Sequence, residues 1–373
     1  MVASISARGG AKAALSYYGH LRRDDYYARG GEPPGRWAGE AAERLSLRGP
    51  VTQTEFDAAL RGFDPKTGER LAQFGGRSRE HSSGWDMTFS APKSVSVLWA
   101  LSRPEDRGLI EQAQRSAVLA ATKHLESSAA SARRGRGGAV TEKTAGLLIA
   151  KFDHHTSREL DPQLHTHSFI FNLAPRRDGS WGAIVSRELY KSQKQAGGVY
   201  RKALGRELER MGHALEWDDD KFRVASIPRH IERALSKRRQ AIEEAAQTYG
   251  YKTAKGMELA ALRTRRAKQE ATLDGMFATW RAEATAMGFQ LGRDHGRRQS
   301  PSSQRSTIAI SGRTFATPTP PQPPAGSAAA SIRQSAVQIG VHLGRLLRAL
   351  DQPSRMPGVK VSLRNSNREH ERE

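Results

Sequence analysis

Two short stretches alternate with a period of two. In "WDMTFS" (85–90), Trp85, Met87 and Phe89 alternate with Asp86, Thr88 and Ser90. In "LHTHSFIF" (164–171), His165, His167, Phe169 and Phe171 share one parity. Successive side chains of a strand point to opposite faces, so each stretch reads as a strand. The second puts two imidazoles and two phenyl rings on a single face, with the histidines at its polar end. In the first, Asp86 falls on the polar face.

Between and after these strands the pattern turns helical. Ser102-Arg103-Pro104-Glu105 has capping-box spacing with an early proline, which predicts a helix running to about residue 128. Its buried stripe is expected to hold Leu109, Ile110, Ala113, Ala117, Ala120 and Ala121. "GGAVTEKTAGLLIAKFDHH" (137–155) reads as a turn leading into a strand that ends at two histidines. Residues 186–213 and 228–288 read as mainly helical. Strands with long helical insertions predict an α/β sandwich layered on one sheet. No internal repeat is present.

Hydrophobic residues make up 37% of the 373, below the usual share, so some segments are not expected to join a core. "TPTPPQPPAGSAAAS" (317–331) is such a segment. We therefore expect a domain over 1–292, a Pro/Ser/Ala-rich linker over 293–330 and a flexible basic tail over 331–373. Residues 293–373 carry 13 basic against 5 acidic residues. Within the tail, Ile332, Ala336, Ile339, Leu343, Leu346 and Leu350 follow alternating steps of four and three. Two and a half heptads are too short to stand alone, so this helix is expected to form only by docking.

The net charge is +21, an electrostatic footprint for a polyanion, with nucleic acid ahead of anionic membrane. No run of 18 apolar residues and no secretory h-region occur. A cytoplasmic nucleic-acid-binding protein is the class expected. There is no cysteine, so any metal must be held by His, Asp or Glu.

Four of the twelve histidines lie within "DHHTSRELDPQLHTHSF" (153–169). His165 and His167 share a strand face and can chelate one ion. A third ligand can come from the end of the preceding strand, where both His154 and His155 are available. Nearer the N-terminus, "SYYGHLRRDDYYARGG" sets Tyr17-Tyr18 and Tyr26-Tyr27 nine residues apart. A phenol has a pKa near 10, so a tyrosine nucleophile needs help at neutral pH. A metal that neutralises a scissile phosphate gives that help. Tyrosine, histidine cluster and basic charge together suggest transesterification at a DNA phosphodiester.

Three blocks now carry a resemblance: "SYYGHLRRDDYYARGGEPPGRWAGEAAERLSL" (16–47), "GWDMTFSAPKSVSVLWAL" (84–101) and "FDHHTSRELDPQLHTHSFIFN" (152–172). In content and order they resemble the MobF-type conjugative relaxases, the TrwC/TraI-like branch of the HUH endonucleases. The resemblance spans about residues 1–290. It implies a two-layer α/β fold with a central antiparallel sheet, and an enzyme that nicks single-stranded DNA at an origin of transfer. Tyr17 matches the main nucleophile, and Tyr26 the tyrosine of a second strand transfer, with Tyr18 and Tyr27 in support. His154, His165 and His167 match the metal ligands, and Asp86 the acidic residue beside them. Lys93 and Arg158, inside the matched blocks, are candidate phosphate contacts, as is the basic turn "SARRGRGG" (131–138).

The family is described with Mg, Mn or Zn, while three imidazoles suit Zn, Mn, Ni or Cu better than Mg. Implied partners are accessory transfer proteins and type IV secretion coupling machinery, with translocation alongside the DNA. The chain departs from the family in three ways. His155 stands where Asp is usual, "HSSG" (81–84) replaces His-Arg-Pro-Gly, and no G-x-x-x-x-G-K-[ST] loop occurs. Unwinding is therefore expected from another protein, unless the chain is a shortened or domesticated relaxase. A replication initiator or transposase of HUH type would place its histidines before its tyrosine. A non-catalytic relative that only binds single-stranded DNA would not need these side chains.

Overall fold

The computed structural model describes residues 3–12, 14–15, 33–72, 81–265 and 271–292. All belong to one unit, Met1–Ser302. The expected linker and tail, 293–330 and 331–373, lie outside the described residues, as does the boundary between them.

The centre is a five-stranded sheet in which every neighbouring pair is antiparallel. Its strands are β1 (Ala3–Gly10), β2 (Arg36–Ala38), β3 (Ser82–Ser90), β6 (Ile149–Thr156) and β7 (Pro162–Phe171). A separate two-stranded ribbon, β4 (Ser131–Arg134) and β5 (Val140–Lys143), precedes β6. The spatial order is β1-β3-β7-β6-β2, so the two alternating stretches sit side by side in the middle. "HSSG" keeps the one residue that the crossing demands. Gly84 has φ 147°, and a Cβ there would come within 2.1 Å of the Ile170 carbonyl oxygen.

One face of the sheet presents Trp85, Met87, Phe89, Ile149 and Ile170 to the helices Lys93–Leu101, Pro104–Ala129 and Ser186–Arg210. The other presents Ala150, Phe152, Phe169 and Phe171 to a smaller cluster built on helices Glu40–Arg44 and Gln53–Leu60. There Phe56 meets all three phenylalanines at centroid distances of 5.2–5.7 Å. Among the described residues, this second layer packs on the phenylalanine end of its face.

The long helix starts as expected but not by the expected device. Its N-cap is Arg103, Pro104 takes the first helical position, and no side chain caps it. Ser102 is already used: its hydroxyl donates to the Leu98 carbonyl at the end of the preceding helix (2.6 Å). With only Ser102 and Arg103 between two helices, the serine closes the first instead of opening the second. A full capping box forms instead at Thr52 and Glu55. The buried stripe holds Ile110, Ala113, Ala117 and Ala121 together with Gln114, Val118, Thr122 and Leu125. Leu109 is half exposed and Ala120 only partly buried. The helical rotation turns both off the stripe's centre line.

Beneath the sheet, Lys151 is buried, and its Nζ donates to Thr122 Oγ1 at 2.9 Å. Burial, reinforced by Arg36, lowers its pKa to about 8 against the opposing pull of Asp153 and Glu126. The unfolded chain holds this proton up to about pH 10.5, so between pH 8 and 10.5 it binds more protons than the folded chain. The contribution of this group to stability therefore rises with pH across that window. Lys151→Met is expected to stabilise the protein at pH 7 by up to about 3 kcal/mol, with the gain vanishing near pH 10.5. Thr122 keeps its bond to Val118, so no new orphan is left. Urea unfolding at pH 7 and pH 10 checks this, and a variant less stable at pH 7 contradicts it.

Candidate metal and catalytic centre

Register decides which histidines meet. In the β6–β7 ladder His154 pairs with His165, and Phe152 with His167. Paired residues share a face, so His154, His165 and His167 all point to the side of Phe152 and Phe169. Their ring centroids lie 5.0–5.2 Å apart. One nitrogen from each ring falls within 4.8 Å of the others. His155, one residue on, faces the helices. It stacks on Trp99 at 4.9 Å with a 9° tilt, and its Nε2 lies 3.5 Å from Glu111.

Two of the rings are oriented by their second nitrogen. His165 Nδ1 donates to the Gln163 carbonyl at 2.9 Å. His167 Nδ1 donates to Asp86, 2.9 Å from Oδ2 and 3.1 Å from Oδ1, with Thr88 Oγ1 at 3.1 Å. Each ring contributes one nitrogen to the cluster. A carboxylate or carbonyl behind an imidazole fixes its tautomer and raises its basicity, as in metal centres generally. Burial first, then the neighbouring His167, lowers the His165 pKa to about 3, so this ring is neutral at physiological pH. Neutral imidazole is the ligating form. Burial pushes the Asp86 carboxyl up, but His167 and Arg8 outweigh it and hold the group below the usual carboxylate range. The donor set thus fits a divalent cation that accepts nitrogen ligands.

The hairpin between the two ligand-bearing strands is held from outside the sheet. Lys93 Nζ donates to the Pro162 carbonyl (2.9 Å), and burial lowers its pKa to about 8. Asp161 accepts the Arg238 backbone N–H at 2.8 Å, and Trp280 Nε1 donates to the Leu160 carbonyl at 2.9 Å. Leu160 itself has φ 57°, a left-handed conformation unusual for a branched side chain. Arg158 is partly buried in the same hairpin.

Tyr17, Tyr18, Tyr26 and Tyr27 lie outside the described residues. The basic stretch 131–138 forms the first strand and tip of the β4–β5 ribbon, with Arg133 and Arg136 exposed and Arg134 paired to Glu142 and Asp178. Two features have no counterpart in the sequence reading. One is Arg8, on β1, bound to Asp86. The other is Asp153, shared by Arg36 (2.8 Å) and Arg115 (3.1 Å). Both join residues far apart in the chain, and no local spacing announces them.

With this geometry in hand, comparison with known proteins is direct. Residues 11–287 match the family described as TrwC relaxase, and the chain belongs to that family. The multifunctional conjugation protein TraI of Escherichia coli (strain K12) is 34% identical over 299 residues, covering 77% of this chain and 16% of that protein. The chain thus spans about a sixth of this relative's length. A conjugative relaxase TrwC solved with oriT DNA in a copper-bound form shares 34% identity and a TM-score of 0.68. The match covers 77% of this chain and 99% of the other. TrwC complexed with a 27-mer DNA comprising the recognition hairpin and the cleavage site gives 31% identity, the same coverage and a TM-score of 0.68. The fold expected from the sequence, a mixed α/β domain on a central antiparallel sheet, is the fold found. No helix among the described residues is long and apolar enough to cross a membrane.

Proposed function

We propose that this chain is a conjugative relaxase domain. It nicks single-stranded DNA at an origin of transfer, keeps the 5′ phosphate on a tyrosine and later reseals the strand. One observation carries the reading: in a chain of the TrwC relaxase family, His154, His165 and His167 converge at the polar end of one sheet face. These three are our assigned ligands. When bound there, a divalent ion neutralises the scissile phosphate and stabilises charge on the leaving oxygen. Three imidazoles favour Zn, Mn or Cu over Mg, and copper was bound in one TrwC structure.

The chain's own residues do the rest. The Tyr17 oxygen attacks phosphorus, the bond to the 3′ oxygen breaks, and the tyrosine proton ends on that oxygen as a 3′ hydroxyl. One ester replaces another, so resealing needs no external energy. Asp86 orients His167. Tyr26 serves a second transfer, with Tyr18 and Tyr27 supporting. Arg158, Lys93 and the basic turn 131–138 contact DNA phosphates. In the cell this places the protein in the bacterial cytoplasm, with accessory transfer proteins and type IV coupling machinery as partners and with passage into the recipient.

The test is covalent capture. The chain is incubated with a divalent metal and 3′-labelled single strands: the 27-nucleotide substrate of the TrwC relative and a random-sequence pool. Label migrating with the protein after denaturation is the expected result. No adduct from either substrate, under any of Mg, Mn, Zn and Cu, overturns the proposal. Removing residues 315–373 is expected to leave this cleavage unchanged and to impair only partner docking or transfer. A large loss of cleavage in the shortened chain would show that the tail belongs to the catalytic domain.

A further inference from the structure

Asp86 is almost completely buried, and besides His167 it is paired with Arg8, whose guanidinium Nη2 lies 3.0 Å from Oδ2. Arg8 sits on β1, which among the described strands lies at the edge of the sheet beside β3. In the register it faces Gly84, which offers no side chain opposite it, two residues from Asp86 along β3. The carboxylate is therefore gripped from both sides, by Arg8 from β1 and by His167 from β7. A carboxylate held by one partner can swivel about its own bond. One held by two, on neighbouring strands, has its plane fixed, and so has the imidazole behind which it stands.

We propose that Arg8 is a positioning residue for the metal centre, acting on His167 through Asp86. The inference rests on the reading that the three histidines hold a metal. It assigns Arg8 no contact with metal or DNA. The contact runs from one guanidinium nitrogen to Oδ2, so an ammonium that reached Oδ2 would replace the charge but not the fixed direction of a planar donor. The tie also has a direction along the chain. β1 ends at Gly10, and Tyr17 follows seven residues later. The strand that leads into the proposed nucleophile segment is thus anchored to the support of a ligand.

Cobalt(II) tests this without any appeal to catalysis. Its affinity is measured against a competing chelator, and its visible absorption recorded, for the full chain and for Arg8→Gln, Arg8→Lys, Asp86→Asn and the double variant Arg8→Gln/Asp86→Asn. Arg8→Gln is expected to weaken binding by about tenfold to a hundredfold and to alter the absorption band. Arg8→Lys should recover part of the affinity. The double variant should be no weaker than Asp86→Asn alone, because both changes act through one carboxylate. Wild-type affinity and spectrum in Arg8→Gln, or additive losses in the double variant, overturn the proposal. If Arg8→Gln fails to fold, the spectrum of Arg8→Lys decides: an unshifted band at wild-type affinity counts against the role. Failure of the parent chain itself to bind cobalt is a different result, which removes the metal centre and this inference together.

Discussion

Tyr17→Phe is expected to abolish the covalent adduct, by at least about a thousandfold, while leaving single-strand binding nearly intact. The substitution removes one hydroxyl and no charge, so it takes away the attacking atom but not the groups that grip phosphates. Loss of a nucleophile is among the largest single effects in enzymes, because the remaining groups have nothing to activate. Two measurements on the same preparation separate the cases: adduct by denaturing gel, binding by fluorescence anisotropy. Adduct formation by the Phe variant at the parent rate would sink the assignment. Tyr18 and Tyr26 would then be substituted in turn.

Single replacements His154→Ala, His165→Ala and His167→Ala are each expected to lose bound metal and cleavage together. The fall should exceed the tenfold to hundredfold typical of outer partners, since a ligand itself is removed. His155→Ala should behave differently. It gives up a stack on Trp99 and leaves metal content unchanged, at a cost of about 1–2 kcal/mol in stability. Metal per chain by elemental analysis, alongside a urea melt, reads both effects. Equal metal loss at 154 and 155, or loss at 155 alone, contradicts the proposed ligand set.

The difference between these two neighbours shows what the sequence could and could not tell. Strict alternation in 85–90 and 164–171 made two central strands legible, and placed His165, His167 and Asp86 on their faces. Alternation also says that only one of His154 and His155 can join His165. It cannot say which, because that depends on the pairing of one strand with another. The register, His154 opposite His165, supplies the answer, and the resemblance to relaxases had pointed the same way. The capping box at Ser102 failed for a related reason: the residue had a prior partner one turn back, in a helix that ends where the next begins. Arg8 was invisible because its partner lies 78 positions away and neither residue is unusual where it stands. Local pattern finds faces and ends; it does not find contacts across a sheet.

The clasp on the Ser157–Asp161 hairpin bears on how the protein is made. A ribosome that has released residues through Phe171 has delivered β1, β3, β6 and β7, with all three histidines, Asp86 and Arg8. Lys93, which holds the Pro162 carbonyl, is delivered with them, but two other groups that grip the hairpin come later: Arg238 with its backbone N–H, and Trp280, which bonds Leu160 and packs 5.8 Å from Trp99 beside the stack on His155. On a growing chain the histidine-bearing hairpin therefore waits 67 further residues for the first of these two holds and 109 for the second. The second of these holds is synthesised only when translation reaches Trp280, by which point Tyr17 has long left the ribosome.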